Sequence, residues 1–237
     1  MSHVLTMATI VYVLLYLVVL FCYFFSETSG NHKRRSINKT ILAVMFMAYA
    51  IFGTVFNIVN DGPYKIISLV LITSLLFCMI GDIVLLKSFS KGGIYFSVGN
   101  ILLMVFNMLY LSVNGISVLK WGWFPLVLLV IWGGYMKLKK RGFIDFGKMD
   151  KSFSMYLLGV TLHGSLSMVG LLWLHDLKSV LIFAGSILYM ISDYFISIAT
   201  FKYPDYRGTK AGKISLRCNS LTYFVGLILI AVSTAVV

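Results

Sequence analysis

The stretch IISLVLITSLLFCMIGDIVLLK, residues 66–87, decides the fold because it places one carboxylate near the end of an otherwise apolar run. Such a run is long enough for a helix to cross a bilayer, which takes about 20 apolar residues. Its segment Met79–Asp82 reads MIGD. A closely similar segment, MISD, occurs at Met190–Asp193, late in another apolar run. A carboxylate inside a bilayer costs free energy, from roughly 2.5 kcal/mol upward, and marks a candidate functional site. Asp82 and Asp193 therefore predict one paired site.

The composition of the chain indicates an integral membrane protein. Of its 237 residues, 59% are hydrophobic and 12% are charged, a balance that a soluble chain of this size has no means to bury. Only Asp82 and Asp193, among eight acidic residues, lie inside apolar runs. The first run is too long for a cleavable signal peptide and lacks its basic start, so we expect a retained helix. The three cysteines and four histidines show no metal or disulfide spacing, so we expect free thiols and no metal site.

The apolar runs predict an all-α, polytopic membrane protein, with eight transmembrane helices in a single domain over residues 1–237. Turn signals separate the runs, among them Asp61-Gly62-Pro63 and Asn114-Gly115. Ser88–Gly93 is predicted as a tight basic turn. The fifth run is short, and Gly133-Gly134 weakens its end. The predicted spans are residues 4–25, 41–58, 66–87, 94–113, 121–136, 153–174, 180–200 and 216–236.

The net charge of +12 indicates orientation in the membrane. All but three of the 20 Lys and Arg residues lie in or beside the loops after the first, third, fifth and seventh spans. The positive-inside rule places these loops in the cytoplasm and both termini outside, in what we expect to be the cell membrane. There the charge contacts anionic lipid headgroups, so we expect no nucleic-acid partner. A 4+4 internal repeat is a further hypothesis, since it makes the third and seventh spans equivalent and brings Asp82 and Asp193 to equal depth.

Two neighbouring carboxyl groups in apolar surroundings cannot both ionise easily, so one keeps a proton while the other is charged. This arrangement supplies a general acid and a general base, and we predict Asp82 and Asp193 as the catalytic pair. The structural alternative is that each accepts hydrogen bonds from a neighbouring helix and fixes the packing. Other polar side chains inside the spans are predicted to bind a substrate, with helix packing as their alternative role. They are Asn100, Asn107, Tyr110, His163, Ser192 and Tyr223, with Asn219 in the same layer as Tyr223.

At these residues the chain resembles the YhhN-like integral membrane proteins, a family that includes the lysoplasmalogenases. The family stretch Phe-x-x-x-Gly-Asp reads Phe77–Asp82 here, and a later stretch ending in Ser-Asp reads Gly185–Asp193. Between them the family has Gly, then His eight residues on and Tyr eleven on. Gly99 and Tyr110 match this pattern, and Asn107 stands where the histidine would be. The family's Gln in the last helix has no counterpart here, while the order and spacing of the motifs cover most of the chain.

The resemblance implies an enzyme that hydrolyses the vinyl-ether bond of lysoplasmalogens to a fatty aldehyde and a glycerophospho-base. That chemistry protonates an alkene carbon and then adds water, so two aspartates suffice and no metal or cofactor is needed. The implied partners are a lysophospholipid of the plasmalogen type and the lipid bilayer. His163 is a candidate replacement for the missing imidazole, and Lys87, Lys91 and Arg217 are candidate phosphate contacts. The residues alone leave two other functions open: a proton-coupled transporter, which paired carboxylates also suit, and a non-catalytic lipid-binding protein.

Overall fold

The computed structural model of the chain describes residues 3–27, 31–59, 64–117, 120–121, 123–202 and 208–236. These residues form eight α-helices and no strand, which confirms the all-α class. The predicted turn at Asp61-Gly62-Pro63 lies outside them. The helices are α1 (His3–Glu27), α2 (His32–Val59), α3 (Lys65–Leu85), α4 (Phe89–Val113), α5 (Trp123–Lys140), α6 (Asp150–Leu174), α7 (Leu177–Ser197) and α8 (Lys210–Ser233).

Seven of the helices in the described part of the chain are long and apolar enough to cross a membrane. The exception is α5, whose last turn carries Lys137, Lys139 and Lys140. This helix contacts the rest of the bundle through a small aromatic cluster, in which the Tyr135 ring stacks on Phe146. The chain is therefore a helical integral membrane protein, while the eighth span stays a prediction.

Several helices begin before the apolar runs that predict them. The polar segment ahead of the second run continues as helix, so α2 begins at His32. The prediction of a tight turn over Ser88–Gly93 is wrong, because the Ser88 hydroxyl accepts a hydrogen bond from the Lys91 N–H and caps α4. In the same way the Thr209 side chain caps α8. Hydropathy detects only the part of a helix that suits the bilayer, so it misses these polar first turns.

Six helices form a ring in the order α2, α3, α4, α6, α7 and α8, with α8 returning to contact α2. Helix α1 packs on α2 and α8, and α5 packs on α6, so both lie outside the ring. The two helices that carry the carboxylates, α3 and α7, occupy opposite places, and the Cys78 Sγ lies 3.8 Å from the Tyr189 hydroxyl between them. If α1–α4 correspond to α5–α8, the α2–α8 contact corresponds to the α4–α6 contact. The internal repeat itself stays a prediction.

Glycines allow close contact between neighbouring helices of the ring. A Cβ at Gly99 on α4 would lie 2.9 Å from the Cys78 Sγ on α3. A Cβ at Gly185 on α7 would lie 2.7 Å from the Gly226 carbonyl oxygen on α8, and a Cβ at Gly226 would lie as close to the Gly185 carbonyl oxygen. Small residues let helix backbones approach in a bilayer, where packing rather than the hydrophobic effect holds helices together. The α7–α8 contact consequently fixes Asp193 relative to the side chains of α8.

We expect Gly185→Ala to destabilise the protein by about 1–3 kcal/mol, because the added methyl group is forced against the backbone of α8. The matched control is Gly159→Ala on α6, where a Cβ meets nothing within 4 Å. The measurement is thermal unfolding of both variants in detergent, followed by tryptophan fluorescence. Equal melting temperatures for the two variants would contradict the close packing of α7 on α8.

Candidate active site

A cavity of about 300 Å³ lies at one end of the helix ring, and both intramembrane carboxylates, Asp82 and Asp193, line it. Much of the remaining wall is apolar and aromatic, with phenylalanines from α4 and α6. The exposed residues among its lining are Ser90 and Ile94, in the first two turns of α4, and Ser152, in the first turn of α6, so we place its mouth between these two helices. A concave, largely apolar site with a few convergent polar groups is typical of a small-molecule site.

Asp82 is held by a cation and a hydroxyl group. Its side chain is buried, with 1% exposed, and the Lys39 Nζ lies 3.1 Å from the Asp82 Oδ1. The Tyr223 hydroxyl donates a hydrogen bond of 2.7 Å to the Asp82 Oδ2. Lys39 comes from α2 and Tyr223 from α8, so the two helices that flank the ring closure both contribute to this carboxylate. An ion pair is stable away from water when its two charges are in contact and further hydrogen bonds satisfy them, as they do for Asp82.

Asp193 has a different environment. The Tyr156 hydroxyl, on α6, donates a hydrogen bond of 2.7 Å to the Asp193 Oδ2. Asn100 on α4, a predicted substrate-binding residue, is buried, neither polar atom of its side chain has a hydrogen-bond partner in the described part of the chain, and it is not among the residues that line the cavity. Within the described ranges, no Lys or Arg side chain forms an ion pair with Asp193. The two carboxyl groups of the cavity are thus unequal, because one has a cation and the other has only a hydroxyl donor.

Of the predicted substrate-binding residues, Tyr223 lines the cavity, and so does Asn219. The Asn219 side chain donates from Nδ2 to the Ser192 carbonyl oxygen at 2.9 Å and so joins α8 to α7 one residue before Asp193. The Ser192 hydroxyl donates to the carbonyl of Tyr189 in its own helix and is not among the groups that line the cavity. Ser192 therefore contributes to the α7–α8 contact through its backbone carbonyl and does not contribute its hydroxyl to the cavity.

Asn107, Tyr110 and His163 are not among the described residues that line the cavity. The Asn107 amide donates to a carbonyl four residues earlier in α4. The Tyr110 hydroxyl donates to Asp176, the cap of α7 at the opposite end of the bundle. His163 is fully buried with its ring centroid 5.5 Å from that of Tyr189, and neither of its nitrogens has a hydrogen-bond partner in the described part of the chain. Its position gives no support to a replacement of the family imidazole by His163.

The cationic side chain that lines the cavity, Lys39, is none of the three predicted phosphate contacts. Lys87 and Lys91 are exposed and do not line it. The Arg217 guanidinium lies 5.0 Å from the centroid of the Phe24 ring. Among the described residues, Lys39 is the cationic side chain that lines the cavity.

Three side chains at or beside the cavity are absent from the sequence-based prediction: Lys39, Tyr156 and Glu27. The sequence assigns Lys39 and Glu27 to polar breaks, whereas the structure buries both, with 8% and 5% exposed. Each lies within about one turn of an apolar run, and a long side chain at such a position can reach into the bundle. That position is the signal that could have found them. Tyr156 is one of 14 tyrosines, and nothing in its local sequence distinguishes it.

Comparison with known proteins places these residues in a family context. A model of the YhhN family matches residues 34–234, which include both aspartates and the whole of helices α3 to α8. No curated protein and no solved structure matches the chain. The family match thus covers the cavity except for the side chains that α1 contributes beside it.

Proposed function

Because the chain belongs to the YhhN family, whose motifs its two aspartate stretches resemble, we propose that it is an intramembrane lipid hydrolase that cleaves the vinyl-ether bond of lysoplasmalogens. The products are a fatty aldehyde and a glycerophospho-base. The observation that carries this proposal is the unequal pair of carboxyl groups on one cavity, Asp82 with Lys39 and Asp193 with Tyr156. An acid and a base beside one apolar cavity suit the addition of water to a vinyl ether.

In this mechanism Asp193 is the general acid. No cation stabilises its charge within the described ranges, and a carboxyl group in apolar surroundings favours the neutral form. Tyr156 occupies Oδ2, which leaves Oδ1 to carry the proton. The proton goes to the alkene carbon that is not bonded to oxygen, and the π electrons form the new C–H bond. The neighbouring carbon becomes an oxocarbenium ion, stabilised by the ether oxygen.

Asp82 is the general base, since Lys39 stabilises its negative charge. The Asp82 charge favours the oxocarbenium ion and accepts a proton from the water molecule that attacks it, which gives a hemiacetal. The hemiacetal C–O bond to the glycerol then breaks, as Asp82 returns its proton to the leaving oxygen. The hemiacetal hydroxyl gives its proton to Asp193 as it becomes the aldehyde. Both carboxyl groups end in the states in which they began.

The position of the cavity mouth suits a substrate that arrives from the bilayer. Ile94 at the mouth has 64% of its surface exposed, on a helix whose outer surface faces lipid. The alkenyl chain of the substrate therefore enters between α4 and α6. With the basic loops in the cytoplasm and both termini outside, the cavity belongs to the cytoplasmic leaflet of the cell membrane.

The test is aldehyde release from a lysoplasmalogen by the purified protein in detergent. We expect equal amounts of fatty aldehyde and glycerophospho-base, and no reaction with the alkyl-ether analogue that lacks the double bond. In D₂O the aldehyde, trapped as it forms, carries one deuterium on the carbon next to the carbonyl, because that carbon receives the acid proton. Folded protein that releases no aldehyde would contradict the hydrolase. Solute flux that depends on pH in liposomes would then identify a transporter, and lipid binding without turnover a non-catalytic protein.

A further inference from the structure

A second cavity, of about 230 Å³, adjoins the first at the same end of the bundle, and the two share Lys39, Asn219 and Tyr223 in their walls. It adds two charged side chains that the proposed mechanism does not use, Glu27 from α1 and Arg35 from α2. We call it the charged cavity, defined by Glu27, Arg35 and Lys39. Charges of both signs thus lie on one concave surface that adjoins the cavity of Asp82 and Asp193.

Glu27 is a buried carboxylate with capacity to bind a ligand. Its Oε1 accepts a hydrogen bond of 2.8 Å from the Tyr23 hydroxyl, and its Oε2 accepts one from the Ser220 hydroxyl. A carboxylate has about four acceptor sites, so both oxygens keep free lone pairs. Neither Arg35 nor Lys39 forms an ion pair with Glu27 within 4 Å, although all three side chains line the same cavity. Space therefore separates the negative side of the cavity from its positive side.

The dipoles of their own helices disfavour the charges of Glu27 and Arg35. Glu27 is the last residue of α1, where the helix dipole disfavours a negative charge. Arg35 lies in the first turn of α2, where the dipole disfavours a positive charge. A buried carboxylate also costs free energy unless a cation contacts it. A ligand that pairs with both side chains would stabilise each of these charges.

We propose that the charged cavity is the headgroup subsite of the hydrolase and that it selects a zwitterionic phosphate–amine headgroup. Arg35 and Lys39 contact the phosphate, since guanidinium and ammonium groups are the usual partners of phosphate oxygens. Glu27 receives the cationic amine. An anionic ligand alone would be repelled by Glu27, and a cationic ligand alone would be repelled by Arg35 and Lys39. This assignment rests on the proposed function, because it places the glycerol at the wall shared with the Asp82 cavity.

The first experiment measures binding without turnover. The probe is glycerophosphoethanolamine, which has the headgroup but neither chain nor vinyl ether, titrated calorimetrically into the protein in detergent. Wild type and the surface control Asp145→Asn are expected to bind it, and Glu27→Gln and Arg35→Gln to bind it about tenfold more weakly. Glycerol 3-phosphate, which lacks the amine, separates the roles: Arg35→Gln weakens its binding and Glu27→Gln does not. Equal effects of Glu27→Gln on the two probes, or no effect on either, would overturn the subsite.

The second experiment measures selectivity in turnover. Glu27→Gln is expected to lower kcat/KM about tenfold for the ethanolamine lysoplasmalogen and to raise it for the vinyl-ether analogue of lysophosphatidic acid, which has no amine and which the Glu27 charge repels. An equal decrease for both substrates would assign Glu27 a merely structural role and overturn the proposal. If wild type releases aldehyde from neither substrate, the hydrolase fails, and the binding experiment still decides the subsite. Arg35 is only half-buried, so Arg35→Gln tests the subsite even where Glu27→Gln does not fold.

Discussion

Asp193→Asn is expected to lower the rate of aldehyde release by about 10³-fold or more, because removal of a general acid costs about 10² to 10⁴ in rate and the amide has no proton of comparable acidity to give. The same substitution is expected to leave the stability nearly unchanged. It exchanges one neutral group for another of similar shape, and the amide oxygen still accepts the Tyr156 hydroxyl. The measurements are the turnover number and the melting temperature of one detergent preparation. Activity within tenfold of wild type would exclude Asp193 as the acid.

The chemically identical substitution Asp82→Asn provides the sharpest comparison. Turnover is expected to fall as far, but the protein is also expected to lose about 3–5 kcal/mol of stability, because Lys39 is left buried without its counter-charge. Asp145→Asn, at an exposed loop position, controls for the loss of one negative charge. If Asp193→Asn destabilises the protein and Asp82→Asn does not, the assignment of acid and base is reversed.

Lys39→Met is expected to lower turnover by about 10²-fold and to destabilise the protein by about 3–5 kcal/mol, since it leaves the Asp82 charge buried and unpaired. Asp82 then becomes neutral and is no longer a base. Methionine keeps the length of the side chain, so packing along α2 is conserved. The control is Lys151→Met at an exposed position of α6, which removes a surface charge only. Turnover of Lys39→Met close to that of wild type would show that the base does not depend on this cation.

The double variant Lys39→Met with Asp82→Asn separates stability from catalysis. It removes both members of the ion pair and leaves no unpaired charge, so its stability is expected to exceed that of either single variant. Its turnover is expected to stay at the level of Asp82→Asn. Additive losses of stability in the thermodynamic cycle would mean that the two side chains do not form the ion pair in the membrane.

The sequence predicts the helices and the two aspartates because a polar group inside an apolar run is conspicuous. The same signal marks Asn107 and His163, which the structure places away from the cavity. Position along a span gives the depth of a side chain in the membrane, whereas its direction around the helix axis depends on which helices are neighbours. The ring order, in which α4 contacts α6, follows from packing between distant parts of the chain. Hydropathy contains no information about that order.

The residues that the sequence misses share a physical cause. Lys39 and Glu27 lie beyond the apolar runs, where composition alone indicates a solvated loop. Helix α2 extends nine residues ahead of its predicted span of 41–58, so Lys39 becomes part of a helix that packs in the bundle. Its buried position depends on the partner that it finds on α3. A charged residue at the end of a span can therefore be assigned to solvent or to a site only when the three-dimensional structure is known.

The glycine contact between α7 and α8 has a consequence for how such a protein changes over evolution. It fixes the helices that carry Asp193 and Tyr223, whereas the mouth between α4 and α6 is formed by side chains such as Ile94 and Ser152 that face outward. In the proposed hydrolase, substitutions at the mouth would change the shape that a hydrocarbon chain meets without moving Asp82 and Asp193. If the proposed function holds, the fold separates the residues that carry the chemistry from those that select the lipid. In the proposed hydrolase, a change in the preferred chain length would then require substitutions at the start of α4 and α6 and none in the α7–α8 contact.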